Sequence, residues 1–104
     1  MAITSEQELG LAVMQVLGSQ PNYLATVRVL IRYVPDYITL TEEDHQPSNK
    51  RHGEEMWEQR VRNLKSHDKS EGNVIRKGFV KHVDEGTYQL TDAGVLHLKS
   101  MGIL

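Results

Sequence analysis

The chain has 104 residues, of which 38% are hydrophobic and 25% are charged, and it contains no cysteine. A chain of this length can bury one hydrophobic core, so we predict a single domain. The lack of cysteine excludes a disulfide framework and cysteine-based zinc sites, and it is compatible with a reducing cytoplasm. The first residues lack a signal-peptide pattern and no apolar stretch approaches membrane-spanning length, so we expect a cytoplasmic protein.

The net charge of −2 conceals an uneven distribution of charge along the chain. Residues 1–44 carry two basic and six acidic side chains, and residues 83–104 carry one basic and three acidic side chains. Residues 45–82 carry nine basic side chains against five acidic ones, and also four of the five histidines. Such a segment is either a solvated charged face or a surface that binds a polyanion. The placement of these charges on the fold distinguishes the two.

Two amphipathic helices are predicted in the first third of the chain. Ser5 and Glu8 have the spacing of a capping box, apolar residues follow at helical spacing, and Gly18 with Pro21 ends the helix. A second apolar stripe spans residues 22–34. We predict a helix there because the run is long and does not alternate, although its β-branched residues leave a strand open.

A polar loop and a third helix are predicted in the middle of the chain. Residues 39–53 are polar and lack periodicity, which is typical of a loop within one domain. Residues 54–66 place Trp57, Val61 and Leu64 at helical spacing, and we expect this narrow apolar seam to be buried. The expected core partners of the seam are Leu9, Val13, Leu30, Ile31, Tyr88 and Leu90.

The outer face of the third helix has the residue types that contact DNA. Arginine pairs with guanine, asparagine and glutamine pair with adenine, and lysine and serine bind phosphates. We expect Arg62 and Asn63 to reach base edges, and an ordinary solvated helix remains the alternative. Lys50, Arg51 and Lys81 are expected to reach only phosphates. The candidate DNA-binding residues are Lys50, Arg51, Gln59, Arg62, Asn63, Lys65, Ser66, His67, Lys69, Lys77 and Lys81, and we expect the basic ones to form one continuous face.

The remaining elements are a hairpin and a last helix. Two β-prone runs, residues 79–83 and 87–90, are separated by three turn residues that include a glycine, which supplies a positive φ. Thr91 is then predicted to cap a C-terminal helix. Three helices, a two-stranded wing and a further helix form a winged helix-turn-helix, in which the third helix enters the major groove. We therefore predict a mainly α winged-helix domain over residues 1–104.

The most specific patterns of the chain are EEMWEQRVRNLKSH and IRKGFVKHVDEGTYQLTDAG. The second contains a glycine, a wing strand and an LT-x-x-G helix start, and the first contains Trp57 and Leu64. In these features the chain resembles the N-terminal winged-helix domain of Mrr-type restriction endonucleases and related modules of modification-dependent nucleases. The resemblance covers residues 40–98 and is interrupted by an apparent insertion, HDKSEGN, at residues 67–73.

The resemblance implies a domain that binds double-stranded DNA, either as a small regulator or as the reader of a restriction or defence protein with an attached or associated nuclease domain. An LT-x-x-G ending also occurs in winged helices that bind protein. The alternative is therefore a protein-interaction winged helix without DNA binding, whose hairpin or first helix docks a partner chain.

Catalytic and metal-binding motifs are not found in the sequence. The five histidines lack the spacing of zinc ligands, and no nucleophile motif or phosphate-cradling glycine loop is present. The acidic-x-lysine pattern of nucleases is also missing. We therefore predict a protein that is not an enzyme and that uses no metal or other cofactor.

Overall fold

The computed structural model describes residues 3–48 and 52–104. These residues form four α-helices and one antiparallel sheet of three strands. The helices are α1 (Glu6–Gly18), α2 (Val27–Tyr33), α3 (Met56–Arg62) and α4 (Asp92–Ser100). The strands are β1 (Leu24–Thr26), β2 (Val80–Asp84) and β3 (Thr87–Leu90), in the order β1-β3-β2. The fold is thus of mixed α+β class, and the expectation of a two-stranded sheet was wrong by one strand.

The extra strand comes from the segment that was predicted as one long second helix. Asn22 and Tyr23 have φ values of 59° and 58°, left-handed conformations that a right-handed helix cannot include. β1 then pairs with β3, and Thr26 caps α2 by accepting a hydrogen bond from the Val29 N–H at 3.4 Å. The helix prediction was therefore wrong for residues 22–26, because their pairing partner lies far along the chain.

The predicted core is confirmed. Trp57, Val61 and Leu64 are buried in one apolar cluster with residues from α1, α2 and the sheet. Of the expected partners, Ile31 is only partly buried and packs against that cluster. The buried members of the cluster that were expected as partners are Leu9, Val13, Leu30, Tyr88 and Leu90.

The hairpin and the start of α4 also agree with the sequence. Gly86 in the turn has a φ of 67°, and β2 pairs with β3 with one irregularity between His82 and Asp84. The Thr91 hydroxyl accepts a hydrogen bond from the Gly94 N–H at 3.0 Å and so caps α4. Local signals therefore placed both elements correctly.

Gly94, the glycine of the LT-x-x-G pattern, is required by packing. A Cβ atom at this position would lie 2.2 Å from the Phe79 carbonyl oxygen and 2.6 Å from the Leu90 Cδ1 atom. Both distances are far below van der Waals contact, and the nearer atom belongs to the backbone. The first turn of α4 can therefore approach β2 and β3 this closely only with glycine at this position.

Replacement of Gly94 with alanine is expected to lower the free energy of unfolding by about 1–3 kcal/mol, the usual cost of overpacking. The matched control is Gly18→Ala in α1, where the nearest atom to a new Cβ is 3.4 Å away and little destabilisation is expected. Urea unfolding monitored by circular dichroism measures both. Equal stability of the two variants would contradict this packing.

The N-terminal residues and the loop before α3 are joined by a buried carboxylate. Asp44 is 0% exposed and accepts hydrogen bonds from the Thr4 N–H at 3.0 Å, the Thr4 hydroxyl and the Thr41 N–H at 2.8 Å. The Arg60 guanidinium lies 4.0 Å from it. Burial disfavours the charged carboxylate, but the hydrogen bonds from Thr4 and Thr41 outweigh this effect and lower the pKa of Asp44.

Asp44→Asn is expected to lower the free energy of unfolding by about 2–3 kcal/mol at pH 7. The substitution replaces one acceptor oxygen by an NH2 donor, which then faces the donor groups of Thr4 and Thr41. Since the pKa of Asp44 is lower in the folded state, its charge stabilises the fold at neutral pH and this contribution is lost as the pH falls below about 4. The stability difference between wild type and variant should therefore shrink from pH 7 to pH 3 in urea unfolding. A constant difference would show that the charge of Asp44 does not stabilise the fold.

Candidate nucleic-acid interface

The start of α3 is fixed by Glu55. Glu55 is the N-cap residue, and its own N–H donates to the Glu58 carboxylate at 2.9 Å in a capping box. The Glu55 carboxylate also accepts the Trp57 indole N–H at 2.9 Å and lies 2.8 Å from the His45 Nδ1 atom. Hydrogen bonds from His45 and Trp57 lower the pKa of this carboxyl. These hydrogen bonds connect the N-cap of α3 to the buried tryptophan of the same helix.

α3 is shorter than predicted, and its outer row of side chains continues into the turns that follow. The helix ends at Arg62, so Ser66 and His67 lie beyond it. The Asn63 N–H nevertheless donates to the Gln59 carbonyl at 2.9 Å, and the His67 N–H donates to the Asn63 carbonyl at 3.1 Å. Gln59, Asn63 and His67 therefore follow one another at intervals of one turn.

The segment after α3 is held by a buried asparagine. The Asn73 side chain, which is 0% exposed, donates to the Leu64 carbonyl at 3.1 Å and to Glu6 at 3.2 Å. Its Oδ1 atom accepts the N–H groups of Ile75 and Arg76. The apparent insertion at residues 67–73 is thus anchored at its last residue to both α1 and the end of α3.

Three of the sequence-predicted residues surround one polar cavity of about 200 Å³ between α1 and α3. They are Gln59, Asn63 and His67, and Gln59 also accepts a hydrogen bond from the Ser48 hydroxyl. All the residues around this cavity have polar or charged side chains. The lining residues are Glu6, Gln59, Arg60, Asn63, His67 and Ser70.

Arg62, which was expected to reach base edges, is bound to a carboxylate. Its guanidinium donates to both oxygens of Glu54, with the shortest distance at 2.6 Å from Nη2 to Oε2. The hydrogen bond to Glu54 raises the pKa of Arg62. A duplex that binds through this side chain must compete with Glu54 for it.

Glu54→Gln is expected to strengthen duplex binding by up to about fivefold, the effect of removing an ion pair worth up to about 1 kcal/mol. The control Asp36→Asn removes one negative charge at an exposed position before the loop, so it measures the effect of net charge alone. Fluorescence anisotropy with a labelled duplex measures both variants. If the two variants behave alike, Glu54 does not restrain Arg62 in binding.

The candidate lysines fall into two groups. Lys65 forms an ion pair with Asp68 at 2.5 Å, and this hydrogen bond lowers the pKa of Asp68. Lys69, Lys77 and Lys81 are exposed, and within residues 3–48 and 52–104 no carboxylate lies within ion-pair distance of their amino groups. These three lysines, named here the open lysines, can therefore bind an anion without first losing a partner.

The basic side chains do not share one side of the hairpin. Tyr88 is buried on the inner face of the sheet. Lys81 pairs in register with Gln89, and therefore projects from the opposite face. Because β2 is an edge strand, a ligand that runs along this edge can still reach both faces. Lys50 and Arg51 lie outside the described residues.

Two residues that were not predicted as site residues, Arg60 and Asn73, hold the site in shape without facing a ligand. Arg60 was not among the candidate residues, yet it donates to the Thr4 carbonyl at 2.6 Å and lies 3.6 Å from Glu6. Asn73 was assigned only to an insertion. In the sequence, the one sign of this role is that Asn73 precedes the apolar pair Val74 and Ile75. An asparagine at such a position can accept hydrogen bonds from the N–H groups of the residues after it.

Comparisons of the chain with models of protein families, with curated proteins and with solved structures found no match. Among the described residues no helix has the length and apolar character needed to cross a membrane. The same residues contain no group of three or more histidine, aspartate or glutamate side chains placed to hold a metal ion.

Proposed function

We propose that this chain is a winged-helix module that binds double-stranded DNA and has no catalytic site of its own. It acts either as a small regulator or as the reader domain beside a nuclease domain of a restriction or defence protein. α3 and the turns after it enter the major groove, and the hairpin of β2 and β3 follows the phosphate backbone.

The order of the elements supports this docking. β1 follows α1 and joins the hairpin through β3, so β2 remains at the free edge of the sheet next to the segment that follows α3. Winged helices use the helix before the hairpin as the recognition helix. The resemblance of residues 40–98 to Mrr-type N-terminal domains favours the same arrangement.

One observation carries the proposal: residues 59–81 combine a row of hydrogen-bonding side chains with the open lysines. Gln59, Asn63 and His67 supply groups suited to base edges, and the lysines supply charges suited to phosphates. A charged face that only contacts solvent does not require a row of hydrogen-bonding side chains beside a cavity. A DNA surface requires both kinds of group in one segment.

Duplex binding at several salt concentrations tests the proposal. With a labelled duplex of about 20 base pairs in fluorescence anisotropy, the logarithm of the binding constant should fall linearly with the logarithm of salt concentration, at a slope of about −0.9 per phosphate contact. Three or more contacts therefore give a slope of about −3 or steeper. A single-stranded competitor of the same length should displace the duplex poorly. Absent or salt-independent duplex binding would refute the proposal.

The second candidate function is docking to a protein without DNA binding. It is favoured by the exposed apolar side chains at the end of the chain, of which Leu96 is 66% exposed. The others are Met101, Ile103 and Leu104. Because apolar docking releases few counterions, this candidate predicts no steep salt dependence, and the same titration separates it from DNA binding.

A further inference from the structure

The cavity beside α3 is unsuited to a phosphate group. Its one guanidinium, Arg60, donates to the Thr4 carbonyl at 2.6 Å and lies 3.6 Å from Glu6 and 4.0 Å from Asp44. Two carboxylates thus face one arginine, and no positive charge is left over for an anion. A phosphate placed here would lie beside the Glu6 carboxylate, which repels it.

Among the side chains around the cavity, Asn63 is the amide with no other role. Gln59 is held by the Ser48 hydroxyl, whereas the Asn63 side chain makes no hydrogen bond within the described part of the chain. Asn63 is half-buried, and the hydrogen bonds from its N–H and to its carbonyl fix its backbone between the turns of Gln59 and His67. Its amide offers one donor group and one acceptor on a fixed support.

The chemistry of this amide distinguishes the two purines. Adenine presents an N7 acceptor beside an N6 donor in the major groove, which an asparagine amide can satisfy with two hydrogen bonds. Guanine presents two acceptors and favours an arginine, but Arg60 and Arg62 are both engaged by carboxylates.

We propose that the Asn63 amide, at the mouth of the cavity formed with Glu6 and His67, recognises the N6 and N7 atoms of one adenine in the major groove. This inference rests on the proposed function, because it requires α3 to lie in that groove. Glu6 adds an acceptor near the exocyclic amine, and the absence of surplus positive charge keeps phosphates out. The site thus determines sequence preference and adds little to general affinity.

The test is selection of preferred duplexes from a randomised library, followed by replacement of the selected adenine with 7-deazaadenine. This base analogue keeps the N6 amine and its pairing but replaces the N7 acceptor with C–H. Wild type should select adenine at one position and bind the 7-deaza duplex about 5- to 100-fold more weakly, as expected for loss of a bidentate pair. Asn63→Ala and Asn63→Asp should bind both duplexes alike, with an unchanged salt slope.

Two controls keep the outcomes distinct. Thr39→Ala changes an exposed residue that neither lines the cavity nor belongs to the candidate DNA-binding residues, and it should keep the adenine preference. The unfolding midpoint of each Asn63 variant should match wild type, and Asn63→Asp preserves the size of the side chain at the end of α3. Wild type that binds duplexes with the proposed salt slope but ignores the 7-deaza change would overturn this inference alone. Wild type that binds no duplex would overturn the proposed function as well.

Discussion

Trp57→Ala is expected to lower the free energy of unfolding by about 3–5 kcal/mol, the range found for large buried aromatic side chains. Trp57 is 5% exposed and belongs to the apolar cluster that joins α3 to α1 and the sheet. Its indole N–H also donates to the Glu55 carboxylate at 2.9 Å, so the substitution removes a hydrogen bond to the N-cap of the same helix. The loss should therefore affect both the core and the placement of α3.

Urea unfolding followed by circular dichroism is the suitable measurement, because the chain has only one tryptophan and the variant loses its fluorescence. Trp57→Phe is the matched control, since it keeps an aromatic ring and removes the N–H group. If packing accounts for most of the effect, Trp57→Phe should lower the free energy of unfolding by less than half as much as Trp57→Ala does. A Trp57→Ala variant within about 1 kcal/mol of wild type would mean that the tryptophan is not a core residue.

Elements with local signals were predictable from the sequence. The Ser5 cap of α1, the glycine of the hairpin turn and the Thr91 cap of α4 each depend on residues within a few positions of one another. β1 could not be predicted in the same way. Its three residues form a strand only because β3, far along the chain, offers hydrogen-bond partners, and such pairing leaves little trace in a short segment.

The sequence predicted which residue types lie at the candidate site, but it did not predict which carboxylates the arginines bind. The helical period correctly placed Gln59 and Asn63 on the side opposite Trp57, because that relation is local. The partners of Arg60 and Arg62 depend instead on how the N-terminal residues and the loop before α3 fold against the helix. The sequence therefore predicted that Arg62 reaches base edges, whereas the structure pairs Arg62 with Glu54 and places Arg60 beside Glu6.

This difference assigns separate roles to the charges of the middle segment. The arginines of α3 mainly hold the helix and its cavity in place, and the open lysines remain available to an anion. DNA affinity and sequence preference should then depend on different residues. Affinity should depend on the open lysines, and preference should depend on Asn63 and its cavity.

The triple variant Lys69→Gln, Lys77→Gln, Lys81→Gln is expected to lower the magnitude of the salt slope by about three and duplex affinity by roughly 500-fold at 0.1 M salt. The reason is that in the proposed complex each lysine neutralises one phosphate and releases its counterion, without first breaking an ion pair of its own. Anisotropy titrations at four or more salt concentrations give the slope and the affinity together.

A variant with Arg32→Gln and Lys99→Gln is the control for this prediction, because it removes two exposed positive charges on α2 and α4 that are not among the candidate DNA-binding residues. Its salt slope should stay within about half a unit of wild type, since no phosphate contact is lost. Equal losses per charge in the two variants would show that net charge alone drives binding. An unchanged slope in the triple variant would show that the open lysines do not contact DNA, and the basic segment would then be a solvated face.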